Sequence, residues 1–298
     1  MGLLQNWVKD RQSLRDTKRF GDQWHRQNTV EPPSDRPLVH FAIPLISRAR
    51  ADDWDRVCSN LAVTLTSLRR QSHPDWRAVV CCQDQPGGVS FDDQVQFVPF
   101  DTADVVTQAT RVKFDKVDKL HRIKRFIAET RTDGYLFNLD ADDILHPKLV
   151  AHIVETNNGR GYYIDKGYMY DTHSGDLAPL VPGPFGQMGG KRAFYRECGS
   201  SSAFRIDFRR SDACLDLINN AGAHKRAPMN MAAMGFAMDP VPFPAAIYAV
   251  NHGQNVRQIR GKLGQKMQYL ARHKMPAQDA ARVLDQFGMP EIMASLGR

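Results

Sequence analysis

Apolar residues in this chain come in blocks, and the blocks alternate between two periods. Val39-His40-Phe41-Ala42-Ile43-Pro44-Leu45 is a near-continuous apolar run ending at Ser47-Arg48, which predicts a strand buried on both faces. Trp54, Val57, Cys58, Leu61, Leu65 and Leu68 then recur at spacings of three and four, which predicts an amphipathic helix with Asp52 or Asp53 as its N-cap. Trp76 to Cys82 predicts a second strand, stopped at Gln83-Asp84, and Val95 to Phe100 a third after Pro86-Gly87-Gly88. A basic helix with Val117, Leu120, Ile123 or Lys124, and Ile127 as its buried stripe leads into the apolar run Gly134 to Leu139. A helix opened by Pro147, with Leu149 and Ile153 inward, follows. Strands alternating with helices predict an α/β fold, a mostly parallel sheet flanked by helices.

The flanks read differently. Residues 1–37 are polar with scattered Trp7, Phe20 and Trp24 and end in a Pro-rich linker, predicting an N-terminal extension of one or two short helices. Gly161 to Asp165 and Gly167 to Asp171 read as an aromatic strand pair turning at Asp165-Lys166-Gly167. The Gly- and Pro-rich stretch from Val181 to Arg192 reads either as a lid or as a surface excursion. Residues 257–298 read as a basic helical tail, leaving 38–256 as the main domain.

In a parallel sheet, ligands gather beyond the carboxyl ends of the strands. Ser47-Arg48, Asp84 and Asp140-Ala141-Asp142-Asp143 all fall at those ends. Three carboxylates closing a buried strand repel one another and resist desolvation unless a cation compensates them. Hard oxygen ligands suit Mg²⁺ or Mn²⁺, with a substrate's phosphates completing the coordination. The bland alternative is a solvated turn or helix cap. A calcium EF-hand is excluded, because the sixth and twelfth positions counted from Asp140 are Leu145 and Ala151, where that loop needs Gly and Glu.

Composition narrows the class. With 42% hydrophobic and 24% charged residues the chain reads as an ordinary globular protein, and no apolar stretch approaches a membrane span of about 20 residues. Met1-Gly2-Leu3-Leu4 is followed at once by polar residues, so no signal peptide is expected, and Asn6 argues against myristoylation of Gly2. Five cysteines without CxxC spacing argue against a zinc site or a disulfide framework and fit a reducing cytoplasm. Of the net charge of +7, an excess of five lies in residues 256–298. Such a tail, with Met267, Leu270, Val283, Leu284 and Phe287, reads as a solvated basic helix or as a peripheral contact with an anionic membrane. No nucleic-acid-binding signature is present.

The order of these residues resembles the GT-A fold glycosyltransferases, especially the family 2-like enzymes of bacterial surface-polysaccharide assembly, over about residues 38–256. Asp140-Ala141-Asp142 is similar to the DxD motif that holds a divalent cation on the donor diphosphate, and Asp143 extends it to DADD. Asp84 matches an Asp that contacts the donor's base or ribose, and His252, in Tyr248 to Asn255, is similar to a late His that adds a metal or diphosphate contact. The resemblance implies a GT-A (Rossmann-like) fold and transfer of a sugar from a nucleoside-diphosphate-sugar donor to a saccharide or lipid-linked acceptor. It implies Mn²⁺ or Mg²⁺ at Asp140, Asp142 and His252, and donor contacts from Ser47, Arg48, Asp84, Lys119 and Asp140. It also implies work in the cytoplasm, with the inner face of the membrane as one location.

One departure concerns the catalytic base. Inverting members carry a Glu-Asp pair at the head of a late helix, and residues 190–250 contain none. Glu197, Asp207, Asp212, His224 and Asp239 are the candidates there, and the base and stereochemistry stay unassigned. Lys116, Lys119 or Arg122 could supplement the metal at the phosphates or form a solvated helix face. Tyr162, Tyr163, Tyr168 and Tyr170 could stack on sugars or simply pack. Gly199 to Phe204 offers small hydroxyls for sugar contacts or a plain turn. Two rivals remain: a nucleotidyltransferase, which would want a Gly-rich basic loop where Ile46-Ser47-Arg48-Ala49-Arg50 has no glycine, and a non-catalytic carbohydrate- or membrane-binding scaffold.

Overall fold

The computed structural model describes residues 2–101, 115–183, 192–251 and 263–297. Helix α1 (Gly2–Gln27) precedes β1 (Leu38–Pro44), α2 (Trp54–Arg69), β2 (Trp76–Cys82), β3 (Val95–Pro99), α3 (Asp115–Ala128) and β4 (Asp133–Asn138). Next come β5 (Ile144–Leu145), α4 (Leu149–Thr156), β6 (Gly161–Tyr163), β7 (Gly167–Asp171), β8 (Leu177–Leu180), α5 (Phe194–Glu197) and β9 (Ser202–Asp207). Then follow α6 (Cys214–Asn220), α7 (Ala227–Ala233), β10 (Asp239–Pro240), β11 (Ala246–Val250), α8 (Leu263–His273), α9 (Ala277–Gln286) and α10 (Met289–Ser295).

Seven strands form the central sheet in the order β10-β6-β9-β4-β1-β2-β3. All neighbours are parallel except β9, which runs antiparallel to both β4 and β6. The central strands β1, β2 and β4 read as near-continuous apolar runs because both faces are covered. Phe41, Ile43, Ala78, Val80, Tyr135 and Phe137 pack on the α2 and α4 side, with Leu61, Leu65 and Ile153. Ala42, Val79, Cys81 and Leu136 pack on the other side, with Ile123 and Ile127 of α3 and Met231 of α7. Asp53 caps α2 by accepting the Arg56 N–H at 2.9 Å. On α3 the stripe holds except at its start, since Val117 is exposed.

Four further strands form a second sheet, β5-β11-β7-β8. This corrects the expected aromatic hairpin. Residues 161–163 pair with β9 in the first sheet, while residues 167–171 pair with β11 and β8 in the second, so the segment between them crosses from sheet to sheet. The acidic run Asp140–Asp143 lies between β4 of one sheet and β5 of the other.

Both flanks are packed on this body. The N-terminal extension is one helix, anchored by Trp24, whose indole N–H donates to Ala213 O at 2.9 Å, and by His25 on Met234 O at 2.9 Å. The linker is pinned at the start of β4, where Ser34 donates its N–H and hydroxyl to Asp133 at 2.9 and 2.6 Å. At the other end, Val283, Phe287, Met289 and Ile292 close a cluster over Ile144, Leu177 and Ile247 of the second sheet. The apolar side of the tail, including Leu270 and Leu284, is thus engaged by the protein itself. Lys274 pairs with Asp176 at 2.6 Å, and Arg282 with Asp279 at 3.3 Å. No described helix is long and apolar enough to cross a membrane.

Candidate active site

The carboxyl ends of β2, β1 and β4 carry one continuous line of polar contacts. Asp84, after β2, accepts the Arg48 backbone N–H at 2.8 Å, which joins the loops after β1 and β2. Ser47 is buried, and its carbonyl accepts the N–H groups of Arg50 and Ala51, forming a single helical turn. Arg50 pairs with Asp115 at 3.0 Å, and Lys119 pairs with Asp115 at 2.9 Å while donating to Leu45 O at 2.6 Å. Burial opposes ionisation of Asp115, but Lys119, Gln83 and Arg50 more than offset it and hold this carboxyl below its usual range. Lys119 is fully buried in this arrangement, so it fastens α3 to β1.

Beyond β4 the carboxylates of Asp140, Asp142 and Asp143 converge, with ligand oxygens all within 4.8 Å of one another. They differ in surroundings. Asp143 is fully buried, its Oδ2 accepting from the Ser200 hydroxyl at 2.5 Å and the Cys198 thiol at 3.0 Å. Its Oδ1 accepts the Ala249 N–H of β11 at 3.3 Å, and its carbonyl accepts from Thr64 of α2 at 2.9 Å. Burial first, then the charges of Asp142 and Asp140, push Asp143 well above the ordinary carboxylate range. Burial, then Asp143 and Asp140, likewise push the Cys198 thiol up, so it stays a neutral donor. Asp143 is therefore a brace joining α2, the segment between α5 and β9, and β11 under the cluster. Asp140 and Asp142 are only partly buried and form its mouth.

Lys116, in the first turn of α3, pairs with Asp140 Oδ1. Burial acts to lower this lysine, yet Asp140 and then Asp142 outweigh it and leave it raised and protonated. The donor set fits a hard divalent cation: clustered carboxylate oxygens, two partly open, with a protonated amine already drawn to one of them. Beside Asp84 lies a groove of about 620 Å³ lined by Arg48, Trp54, Cys58, Gln85, Gly87 and Gly88, within the range of small-molecule sites.

The five residues considered as a base separate by position. Glu197 is buried next to Cys198 and pairs with Arg192 at 3.4 Å, and His224 meets the Tyr195 carbonyl at 2.5 Å. Glu197 thus lies in the segment that carries Cys198 and Ser200 to the acidic cluster, and His224, from the turn between α6 and α7, touches that segment at Tyr195. Asp207 is paired in register with Asp133, at the opposite end of β4 from Asp140, and is bound by Arg209. Asp212 pairs with Arg131 at 2.7 Å at that same far end, and Asp239 pairs with Arg160 at 3.0 Å on the outer strand β10. His252 lies outside the described residues, as do residues 184–191 of the expected lid.

Sequence reasoning missed Cys198 and Ser200 as partners of Asp143. The usable signal was the run of small polar residues heading β9, since a strand antiparallel to β4 begins where β4 ends. Tyr162 packs in the core, donating to or accepting from Thr156 at 2.8 Å, away from any sugar-binding role.

The chain is thus an α/β protein with an acidic centre at the carboxyl edge of its parallel strands. No protein-family model matches it, and no curated protein does. Among solved structures it is similar to the crystal structure of S. aureus TarS 1-349, with a TM-score of 0.39 and 10% identity over 84% of this chain and 70% of that one. A second crystal structure of S. aureus TarS aligns with a TM-score of 0.36 and 12% identity, covering 72% of this chain and 37% of that one. Superpositions this loose define neither substrate nor reaction.

Proposed function

We propose that the protein is a metal-dependent glycosyltransferase of GT-A, family 2-like type, moving a sugar from a nucleoside-diphosphate sugar to a hydroxyl of a saccharide or lipid-linked acceptor. The observation that carries this reading is the partly open pair Asp140 and Asp142 at the end of a central parallel strand, held by the buried Asp143 brace. A divalent cation, Mn²⁺ or Mg²⁺, at that pair would neutralise the diphosphate and stabilise charge on the departing oxygen. The protein's own residues do the rest. Asp84 and the groove beside it bind the nucleoside, with Ser47 and Arg48 setting the shape of that wall. Lys119 contributes indirectly, by fixing α3. His252 is assigned as a third ligand, which is supported by Ala249, three residues earlier, reaching Asp143.

Glu197 and His224 are the two candidates for drawing the proton from the acceptor hydroxyl, because Glu197 directly precedes Cys198 and His224 contacts the same segment at the Tyr195 carbonyl. Closing the donor away from water keeps transfer ahead of hydrolysis. Any association of the tail with an anionic membrane would rest on charge, since its apolar side is occupied.

The test is a thermal-shift titration with UDP, GDP and their sugars, with and without Mn²⁺. Ligands that bind the folded state raise its melting temperature. A cation-dependent rise that disappears in Asp142→Asn, with unchanged circular dichroism, is expected. A rise that Asp142→Asn leaves intact, or one indifferent to chelation, would remove this reading.

A further inference from the structure

Lys116 occupies an unusual position for a surface lysine. Its ammonium pairs with Asp140 Oδ1, one of the oxygens that a cation at this site would need. Its near neighbour Lys119, one helical turn along α3, is held by Leu45 O and Asp115. Asp115 in turn is engaged by Arg50, Lys119 and Gln83. Thus the start of α3 is fixed by one set of contacts, and Lys116 extends from that fixed turn to the acidic cluster. Its side chain is 49% exposed and that of Asp140 33% exposed, while the ammonium is the end drawn in against the carboxylates.

We propose that Lys116 is a built-in counter-cation which must leave Asp140 when the metal arrives, and which then pairs with the donor's diphosphate. This inference rests on the metal-site reading above. The physical case is one of competition. An ammonium and a divalent ion cannot share one carboxylate oxygen without strong repulsion at a separation of a few ångströms. A metal arriving alone must displace the lysine and leave it with no new anion. A metal arriving with a diphosphate brings the negative charge that the displaced ammonium can follow, and a flexible lysine suits such a move. Lys116 thereby weakens binding of the bare metal and favours binding of metal and diphosphate together. By linkage the same coupling must appear from either ligand's side.

The closing experiment uses the full chain after chelation, with Mn²⁺ alone as one probe and UDP as the diphosphate probe. Titration calorimetry measures Mn²⁺ affinity with and without saturating UDP in wild type, Lys116→Gln and Lys116→Arg. Removing the lysine charge should tighten Mn²⁺ alone about tenfold and shrink the UDP-induced gain in Mn²⁺ affinity at least about fivefold, the low end of ordinary coupling between sites. Lys116→Arg should behave like wild type. In chelator, Lys116→Gln should melt lower than wild type and gain more on adding Mn²⁺, because its carboxylates lack their counter-cation. If wild type and Lys116→Gln bind Mn²⁺ equally, or the variant binds it less well, the competition is overturned while the metal site stands. If neither binds Mn²⁺ at millimolar concentration, the metal-site reading falls and this inference with it.

Discussion

The Ser200 hydroxyl donates to Asp143 Oδ2 at 2.5 Å across 57 positions of sequence, and the same hydroxyl oxygen accepts the Asp140 backbone N–H at 2.8 Å. One buried side chain therefore sets the spacing of two acidic residues. Ser200→Ala leaves Asp143 with one donor fewer on Oδ2 and the Asp140 N–H without an acceptor. An unsatisfied buried group costs about 1–3 kcal/mol, so urea denaturation should show a loss of that size. Mn²⁺ affinity should fall too, because Asp140 is no longer held in register. Unaltered Mn²⁺ binding in a destabilised variant would mean that Ser200 serves the fold alone.

Gly134 is the second residue of β4, the strand that leads into the acidic run. Its φ of +151° is a conformation open to glycine, and a Cβ there would lie 2.0 Å from the Leu38 carbonyl oxygen in the paired strand β1. Neither backbone can yield without breaking the β1–β4 register. Gly134→Ala should cost about 3 kcal/mol or more, in the range reserved for strained backbone and core overpacking. Loss of soluble protein, or a melting temperature lower by many degrees, is the expected readout; a near-native melt would show that β4 can shift without harm.

Residues 38–82 were legible because β1 and β2 are buried on both faces and α2 on one. Apolar runs and spacings of three and four therefore report burial directly, as in Trp76–Cys82 and in α2. The acidic run was legible because three carboxylates after a buried strand need an explanation. Residues 161–171 were not: Tyr162 and Tyr168 share an aromatic alternation, but their partners lie about forty and eighty positions away, on β9 and β11. Pairing across such distances leaves no local trace. Lys119 and Lys116 look alike in sequence, and only the fold shows that the first is buried against Leu45 O while the second reaches Asp140. The tail's charge was visible, but not the surface that receives its apolar side.

That surface gives a further prediction. Phe287 is 1% exposed and packs with His146 and Tyr168 at ring-centre distances of 5.1 and 6.1 Å. It belongs to the cluster that covers Ile144, which directly follows the acidic run. Phe287→Ala should destabilise the whole protein by about 3–5 kcal/mol, as deletion of a buried aromatic ring does. Deleting residues 263–298 should expose the second sheet, seen as dye binding to apolar surface and aggregation. A soluble, cooperatively folding truncation would show instead that the tail is an independent unit.

Stability should also fall on mild acidification, and His40 gives the reason. It sits within β1, 2% exposed, and its Nε2 has no hydrogen-bond partner among the described residues. Burial first, and the charge of Arg77 second, lower its pKa from 6.5 to about 4. The unfolded chain takes up this proton near pH 6.5, whereas the folded chain resists until about pH 4. Protonation therefore favours the unfolded state across that window. Stability present above pH 6.5 is lost as pH falls towards 4, by about 3 kcal/mol at most for this group, at roughly 1.4 kcal/mol for each tenfold change in proton affinity. His121, His146 and His152 are lowered as well, mainly by burial, so the wild type should lose more than His40 alone explains. His40→Leu removes a single contribution and leaves the others in place. Urea denaturation of both proteins at pH 7.5, 5.5 and 4.5, roughly spanning the window in which the unfolded histidine titrates, should show the variant losing less stability than the wild type as pH falls. Parallel loss in the two proteins would show that His40 is protonated in the native state and that the acid sensitivity arises elsewhere.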